Sequence, residues 1–345
     1  MEHKLTDIKE IGEFGLIKRI AASTKLRNIE TIKGIGDDAA VIQCNGDRIV
    51  ITTDMLIEGV HFDLTYMPLI HLGYKAVAVN LSDIFAMNAI PKQITVSIGL
   101  SSKFSVEHVD EIYKGISKAC ELYQVDLVGG DTVASPNGLV ISITAIGTVS
   151  DDQITYRNGA KANDLICVTG DLGAAYLGLK LLAREKEVFE INPNEQPQLI
   201  GYEYLIERQL KPEPRQDIVV KLKELDILPT SMIDVSDGLS SELMHICQSS
   251  AKGCRIYDDK IPIHPQSVAL SDEFMIEPII PALNGGEDYE LLFTVDQKHF
   301  EKVKSMENVS IIGHITNVEG QYEIVFQDGT VLPLSAQGWN AFTEE

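Results

Sequence analysis

Cysteine, long apolar runs and positive charge are all scarce in this sequence. The five cysteines are odd in number and include no Cys-x-x-Cys pair, which argues against a disulfide framework or a zinc site. No apolar stretch reaches the roughly 20 residues that a membrane helix needs. Met1 to Lys4 are not followed by the apolar run of a secretory signal. We therefore expect a cytoplasmic protein with reduced thiols and no membrane segment.

The charge balance excludes two classes of partner. The chain has 29 Lys and Arg against 51 Asp and Glu, a net charge of -22. Non-specific nucleic-acid binding needs a basic footprint, so we expect no nucleic-acid partner. An anionic membrane surface would also repel this chain. If the substrate is a polyphosphate, metal ions must lie between its phosphates and the carboxylates of the protein.

Length and composition predict a globular protein of two domains. Hydrophobic residues make up 44% and charged residues 23% of the 345 residues, which is ordinary for a globular chain with a sizeable core. A domain commonly has roughly 100 to 200 residues. We place the boundary near Ser150, where the strand-helix alternation restarts, which gives domains of residues 1–149 and 150–345.

Several familiar catalytic motifs are missing. The chain has no Gly-x4-Gly-Lys-[Ser/Thr] P-loop, no His-Arg-Asp kinase loop and no Gly-x-Ser-x-Gly elbow. The Gly34-Ile35-Gly36 segment superficially resembles a dinucleotide fingerprint. It precedes a predicted strand where that fingerprint requires a helix, so the context is wrong.

The segment from Gly34 to His61 has the highest density of candidate functional side chains. Adjacent carboxylates at Asp37 and Asp38 follow two glycines, and predicted strands at 39–43 and 48–53 lead into Thr52, Thr53 and Asp54. Carboxylates, hydroxyls and an imidazole at strand ends are suited to hard cations and phosphate. The alternative is ordinary turn chemistry, because Gly-Asp pairs are common in loops. His61 can contact a substrate or serve a structural role.

Aspartate recurs at the ends of elements further along. Asp83 lies on a helix predicted over 71–88 that is apolar nearly all round and therefore buried. Asp131 follows Gly129 and Gly130 after a strand predicted to be buried at 125–128, and Asp234, Ser236 and Asp237 lie where a strand at 231–235 meets a helix at 239–250. Capping and simple turns are the alternatives. Six dispersed carboxylates suit several magnesium ions and phosphoryl transfer by positioning and charge neutralisation: Asp38, Asp54, Asp83, Asp131, Asp234 and Asp237.

Basic groups near these motifs are few. Arg157, in the loop Tyr156-Arg157-Asn158-Gly159, is the best candidate for a phosphate clamp, and the alternative is a surface arginine.

The remaining sequence pattern predicts further secondary structure. Helices are predicted at 7–24, 106–122 with Ser105 as N-cap, 173–184, 198–210 and 214–226. Strands are predicted at 93–100, 139–149, 164–169 and 289–295, and a polar loop at 187–198.

Seven segments, in order, resemble the thiamine-monophosphate kinase family: GIGDDAAV, TTDMLIEGVHF, YKAVAVNLSDIFAMNA, LVGGDT, YRNGAKANDLICVTGDLG, IDVSDGL and GGEDYELLFTV. They span residues 34 to about 295. The family belongs to a superfamily with aminoimidazole ribonucleotide synthetase and selenophosphate synthetase. The resemblance implies a phosphotransferase that converts ATP and thiamine phosphate into ADP and thiamine diphosphate, the last step of making that cofactor.

The resemblance also implies roles for single residues. Transfer is in line, with several Mg²⁺ ions, with ATP as co-substrate and with no general base. The implied magnesium ligands are Asp38, Thr52, Thr53, Asp54, Asp83, Asp131, Asp234 and Asp237. The implied ATP contacts are Tyr113, Gly130, Asp131, Arg157 and Ser236. The implied substrate contacts are His61, Glu287 and Trp339, the last suited to stacking on a cationic ring.

The implied fold is α/β of the α+β type, with two domains like those of aminoimidazole ribonucleotide synthetase. The N-terminal domain, residues 1–149, would bind ATP and magnesium and pair in a homodimer with a central β-barrel, and the C-terminal domain, residues 150–345, would be an α/β sandwich. We expect an antiparallel or mixed sheet rather than a Rossmann sheet.

Four other functions fit parts of the pattern. Selenophosphate synthetase would show a reactive cysteine in a glycine-rich N-terminal loop, and residues 1–30 contain no cysteine. The substrate motifs of aminoimidazole ribonucleotide synthetase are not evident. A catalytically silent metal or nucleotide binder on the same scaffold would bind ATP without releasing ADP. A purely structural dimer would bind neither ATP nor magnesium.

Overall fold

The computed structural model describes residues 29–44 and 46–336, together with residues 15, 17, 18, 21 and 22. These five residues are helical and fall within the predicted helix at 7–24, the rest of which lies outside the described residues. Trp339 also lies outside them. Within the described part of the chain, no helix combines the length and the apolar character that crossing a bilayer requires.

Two mixed sheets form the described structure. The first sheet has six strands in the order β1-β2-β3-β6-β4-β5, and only β4 and β5 pair in parallel. Its strands are β1 Thr31–Lys33, β2 Ala40–Cys44, β3 Asp47–Ile57, β4 Ile90–Leu100, β5 Asp126–Ala134 and β6 Val140–Ser150.

The second sheet has seven strands in the order β13-β12-β9-β11-β7-β10-β8, and only β9 and β12 pair in parallel. Its strands are β7 Leu165–Thr169, β8 Ser231–Val235, β9 Gly253–Tyr257, β10 Glu290–Val295, β11 Val309–Thr316, β12 Tyr322–Val325 and β13 Val331–Pro333. The expectation of mixed sheets, in place of a parallel Rossmann sheet, is confirmed.

Nine described helices surround these sheets: α1 Leu69–Ala86, α2 Val106–Tyr123, α3 Ala174–Ile191, α4 Glu203–Leu210, α5 Gln216–Glu224, α6 Leu239–Ser250, α7 Pro265–Glu273, α8 Ile279–Asn284 and α9 Phe300–Lys304. Helices α7, α8 and α9 were not predicted from the sequence, and the bounds of α3 and α4 differ clearly from the prediction. Helix α3 continues to Ile191, through part of the predicted loop at 187–198, and α4 begins only at Glu203. The first proline after α3 is Pro193, so no helix breaker interrupts Val188 to Ile191.

Helix α1 lies at the centre of the molecule. It packs against β3, β4 and β6 of the first sheet and against β8 of the second. From Leu72 to Ala86 every residue except Asp83 is buried, as the apolar pattern around the helix predicts. One hydrophobic core therefore joins residues of both sheets, from Ile94 and Ile143 to Cys167 and Phe293.

Strand β5 corrects a prediction. We expected a buried strand at 125–128, but only Val125 is buried, and β5 is exposed along its whole length from Asp126 to Ala134. The reason is its place at the edge of the first sheet, where it pairs with β4 alone. Its apolar side chains Leu127, Val128 and Val133 consequently face outward.

Candidate active site

Three carboxylates converge where α1 meets the two sheets. Asp38 precedes β2, Asp83 is on α1, and Asp234 is on β8. One oxygen from each lies within 4.8 Å of the other two. Residues that are 45 to 196 positions apart thus form one acidic cluster, which we call the aspartate cluster.

Helix α1 positions this cluster through the polar residues of its Asn80-Leu81-Ser82-Asp83 segment. The Ser82 hydroxyl donates a 2.6 Å hydrogen bond to Asp234, and the Asn80 side-chain carbonyl accepts the Asp54 backbone N–H at 3.0 Å. The Thr52 hydroxyl of β3 donates to Asp83 at 2.5 Å. Ser82 and Asn80 had no role in the sequence analysis. Polar residues in an otherwise apolar buried helix were the signal that could have identified them.

Burial and mutual repulsion act against ionisation of these carboxyls. Burial raises the pKa of Asp54 to about 6. Burial, followed by the charge of Asp38, raises the pKa of Asp234 to about 8. The pKa of Asp83 is also raised well above its usual value, by burial and then by Asp54 and Asp234. Like charges held this close in a poorly solvated place are stabilised by a bound cation.

Arg157 provides the direct basic partner of the cluster. Its Nε and Nη2 donate to the two oxygens of Asp38 at 3.0 and 2.9 Å, a bidentate pair. Its backbone N–H donates to Asp37 at 3.1 Å, and Lys33 lies 3.3 Å from the same Asp37 carboxylate. The structure therefore places Arg157 in the site, bonded to a carboxylate.

A pocket of about 130 Å³ opens beside the aspartate cluster. His61 and Ser236 line it together with Asp54, Asp83 and Asp234, so five residues singled out in the sequence meet here. The Nδ1 atom of His61 accepts the Ile57 N–H at 3.1 Å. Burial lowers the pKa of His61, which favours the neutral ring.

The Ser236-Asp237-Gly238 turn borders this pocket and depends on a residue that the sequence analysis missed. Glu242 is 3% exposed and accepts hydrogen bonds from the Asp237 N–H at 3.2 Å and from the Ser236 hydroxyl at 3.4 Å. Burial, then the charge of Asp237, raises the pKa of Glu242 well above its usual value. A glutamate in the first turn of α6 was the available sequence signal.

Glu287 belongs to a second turn, formed by Gly285-Gly286-Glu287-Asp288. Lys75 of α1 forms a 2.9 Å ion pair with Glu287, and Gln209 donates to the same carboxylate at 2.7 Å. Lys75 is 1% exposed. The sequence analysis assigned no role to Lys75 or Gln209, although a lysine within an apolar helix is an uncommon feature.

Thr53 is not part of the aspartate cluster. Successive side chains of a strand point to opposite faces, so Thr52 and Asp54 share one face of β3 and Thr53 lies on the other. The Thr53 hydroxyl donates to the Ile143 carbonyl at 3.0 Å and accepts from Thr144 at 3.2 Å.

Tyr113, Gly130 and Asp131 line a different depression of about 550 Å³ on the first sheet. Asp131 aligns with Ser97, Ser142 and Met55 on successive strands. Three strand spacings, about 14 Å, thus separate Asp131 from the Met55 position beside the aspartate cluster. Gly130 is required by packing, because an added Cβ would lie 1.9 Å from the Val96 carbonyl oxygen.

The two mixed sheets with helices packed against them form a fold of the AIR synthase type. The family model described as "AIR synthase related protein, N-terminal domain" matches residues 36–149. This match agrees with the superfamily inferred from the sequence.

Comparisons over the whole chain are more specific. The thiamine-monophosphate kinase of Bacillus subtilis (strain 168) is 35% identical over 338 residues, which are 96% of this chain and 100% of that protein. The enzyme of the same name from Aquifex aeolicus (strain VF5) is 35% identical over 335 residues, 97% and 99% of the two chains. The solved structure of AaThiL complexed with AMPPCP and TMP has a TM-score of 0.83 and 32% identity, covering 99% of this chain and 100% of that one.

The chain belongs to the thiamine-monophosphate kinase family. Its enzyme class is that of the kinases, which are phosphotransferases. The family and the enzyme class that the sequence predicts are confirmed.

Proposed function

We propose that this enzyme transfers the γ-phosphoryl group of ATP to the phosphate of thiamine phosphate. A phosphate oxygen of thiamine phosphate forms a bond to the γ-phosphorus as the bond to the bridging oxygen of ADP breaks, and ADP leaves with the electron pair. The products are ADP and thiamine diphosphate. The main support for this proposal is the aspartate cluster. It provides oxygen ligands for the metal ions that phosphoryl transfer between two polyanions requires. The AaThiL complex with AMPPCP and TMP supports the choice of both substrates.

The residues present fit magnesium. Asp38, Asp83 and Asp234 offer hard oxygen donors within 4.8 Å of one another, and burial together with neighbouring carboxylates raises the pKa values of Asp83 and Asp234. Mg²⁺ takes one or two carboxylates per ion and completes its shell with water and substrate phosphates. We propose several ions, held by Asp38, Thr52, Asp54, Asp83, Asp131, Asp234 and Asp237, with Thr53 limited to its backbone oxygen.

Bound Mg²⁺ supplies charge neutralisation between the two phosphate groups and orients them for in-line attack. The protein itself positions the ligands: Ser82 and Thr52 hold Asp234 and Asp83 by hydrogen bonds of 2.6 and 2.5 Å. No general base is proposed, because a phosphate monoester is already ionised near neutral pH. The proposed site accordingly needs no His-Asp pair.

We place the nucleotide between the aspartate cluster and the depression at Tyr113, Gly130 and Asp131. An extended nucleoside triphosphate can join these two regions, with the base near Tyr113 and the phosphates near Ser236. Arg157, which pairs with Asp38 beside the cluster, is the proposed basic contact to the nucleotide. His61, Glu287 and Trp339 are the proposed contacts to thiamine phosphate, which carries a cationic ring that an aromatic side chain can stack on.

We also propose a homodimer formed through the N-terminal domain, residues 1–149, with residues 150–345 as the second domain. The exposed edge strand β5 supports this proposal, because an unpaired apolar edge is a template for pairing with another strand. Pairing of the first sheets of two subunits would close the dimeric barrel that the family resemblance implies.

A cytoplasmic location of the enzyme is consistent with its use of ATP.

The test is formation of thiamine diphosphate, measured by chromatography after incubation of purified protein with ATP, MgCl₂ and thiamine phosphate. Free thiamine replaces thiamine phosphate in one control, and excess EDTA replaces MgCl₂ in another. Product that requires both thiamine phosphate and magnesium would support the proposal. Bound ATP with no product would contradict it and favour a silent nucleotide binder or another phosphate acceptor.

A further inference from the structure

The Lys75 ammonium group is a deeply buried charge beside the active site. Lys75 is 1% exposed, and its Nζ atom donates to Glu287 Oε2 and to the Gln209 backbone carbonyl, both at 2.9 Å. Burying a charged side chain is costly unless its partners compensate for the lost water. A methionine or leucine would fill the same space in an apolar helix at less cost, so packing alone does not explain this lysine.

The contacts of Lys75 fix the orientation of one carboxylate. Gln209, which is 2% exposed, donates its Nε2 to Glu287 Oε2 at 2.7 Å, so both donors use the same oxygen. Neither contact uses Glu287 Oε1, and a quarter of the Glu287 side chain is exposed. Oε1 is therefore left outside these two bonds, and the charge of the carboxylate acts on His61 of the neighbouring pocket.

The backbone of Glu287 is held as firmly as its side chain. Its φ angle is +67°, which is uncommon for a residue with a side chain. The Glu287 N–H donates to the Ser236 carbonyl at 2.7 Å, and a Cβ on Gly286 would lie 2.5 Å from that same carbonyl oxygen. The glycine turn thus locks the Glu287 backbone against the Ser236 segment of the active site.

We propose that Lys75 and Gln209 are positioning residues that hold Glu287 in its acceptor-binding orientation. This inference rests on the proposed function, in which Glu287 contacts thiamine phosphate. The oriented Oε1 accepts an N–H donor or faces the positive ring of the acceptor, which selects phosphate monoesters of cationic or amino-substituted heterocycles. The ion pair acts on recognition of the acceptor and leaves ATP binding unaffected.

The test compares steady-state kinetics of the full-length protein and its Lys75→Met variant, with thiamine phosphate and ATP varied separately. Removal of a charged hydrogen-bond donor should raise KM for thiamine phosphate about tenfold, since such a bond contributes about 1.5 kcal/mol. KM for ATP should change less than about twofold. Lys221→Met is the matched control, because it removes a lysine that is exposed and ion-paired with Glu224 at 3.1 Å, away from the site.

A double-mutant cycle with Glu287→Gln separates positioning from general structural support. If Lys75 acts through Glu287, the Lys75→Met substitution should change KM for thiamine phosphate less than twofold in the Glu287→Gln background. Gln209→Met enters the same cycle if Lys75→Met fails to fold. Equal increases in both KM values, or an undiminished effect in the Glu287→Gln background, would overturn this inference while wild-type turnover upheld the proposed function. Absence of wild-type turnover with thiamine phosphate would overturn both.

Discussion

Replacing Asp83 with asparagine should stabilise the metal-free protein while it disables the enzyme. Asp83, Asp38 and Asp234 have oxygens within 4.8 Å of one another. Two unit charges at 4.8 Å repel by about 3.5 kcal/mol at an effective dielectric constant of about 20. Asparagine keeps an oxygen that can accept the Thr52 hydroxyl bond and removes the charge. Proton uptake by the wild-type cluster relieves part of the repulsion, so we expect a net gain of about 2 kcal/mol.

The assay is thermal unfolding in EDTA and in excess MgCl₂. Unfolding entropy of about 2.1 cal/mol/K per residue converts 2 kcal/mol into a rise of about 3 °C for a chain of this length. In MgCl₂ at about 100 times the dissociation constant, the wild type should gain about 2.7 kcal/mol, or about 4 °C. The Asp83→Asn variant should lose most of this gain, and its turnover should fall at least about 100-fold.

Asp131→Asn is the control for this experiment, because Asp131 is exposed and lies outside the aspartate cluster. Its unfolding temperature in EDTA should equal that of the wild type. Unfolding of Asp83→Asn in EDTA at or below the wild-type temperature would refute the predicted charge repulsion. A full magnesium-induced shift in Asp83→Asn would exclude Asp83 from the metal site.

Three further predictions concern the remaining site residues and the sheet edge. Asp54→Asn should lower kcat at least about 100-fold with an unchanged circular dichroism spectrum, since it removes a metal-site charge; near-normal activity would exclude Asp54 from the site. Thr52→Val should reduce kcat much more than Thr53→Val, because only the Thr52 hydroxyl bonds to Asp83; equal losses would contradict the strand-face assignment. Leu127→Glu on the exposed edge strand should shift the protein from dimer to monomer in light scattering, because a charge disfavours edge pairing; an unchanged mass would place the dimer contact elsewhere.

The aspartates and most elements were predictable from the sequence because their signals are local. The strands predicted at 48–53 and 139–149 correspond to β3 and β6, and an apolar surface all round the helix indicated that α1 is buried. Glycine and aspartate at strand ends indicated Asp38 and Asp234. The ordered set of motifs then identified the family, which composition could not have done.

Other features depend on partners far away in the chain. The edge position of β5 follows from sheet order, which no single segment encodes, and so its exposure was predicted wrongly. Lys75 and Glu287 are 212 residues apart, and neither local sequence indicates the other as its partner. Their pairing required α1 and the glycine turn to be placed side by side by the two sheets.

Residue identity and order alone establish the acidic character, the metal-binding residue types and the family of this protein. The tertiary structure sets which oxygens face one another. It placed Asp38, Asp83 and Asp234 within 4.8 Å, turned Thr53 to the opposite face of β3 and directed Lys75 to Glu287. The physical reason is that the direction of each side chain depends on how its helix is rotated and on which face of its strand it lies. Both are fixed only when the elements pack, and the packing energy depends on all neighbouring side chains at once.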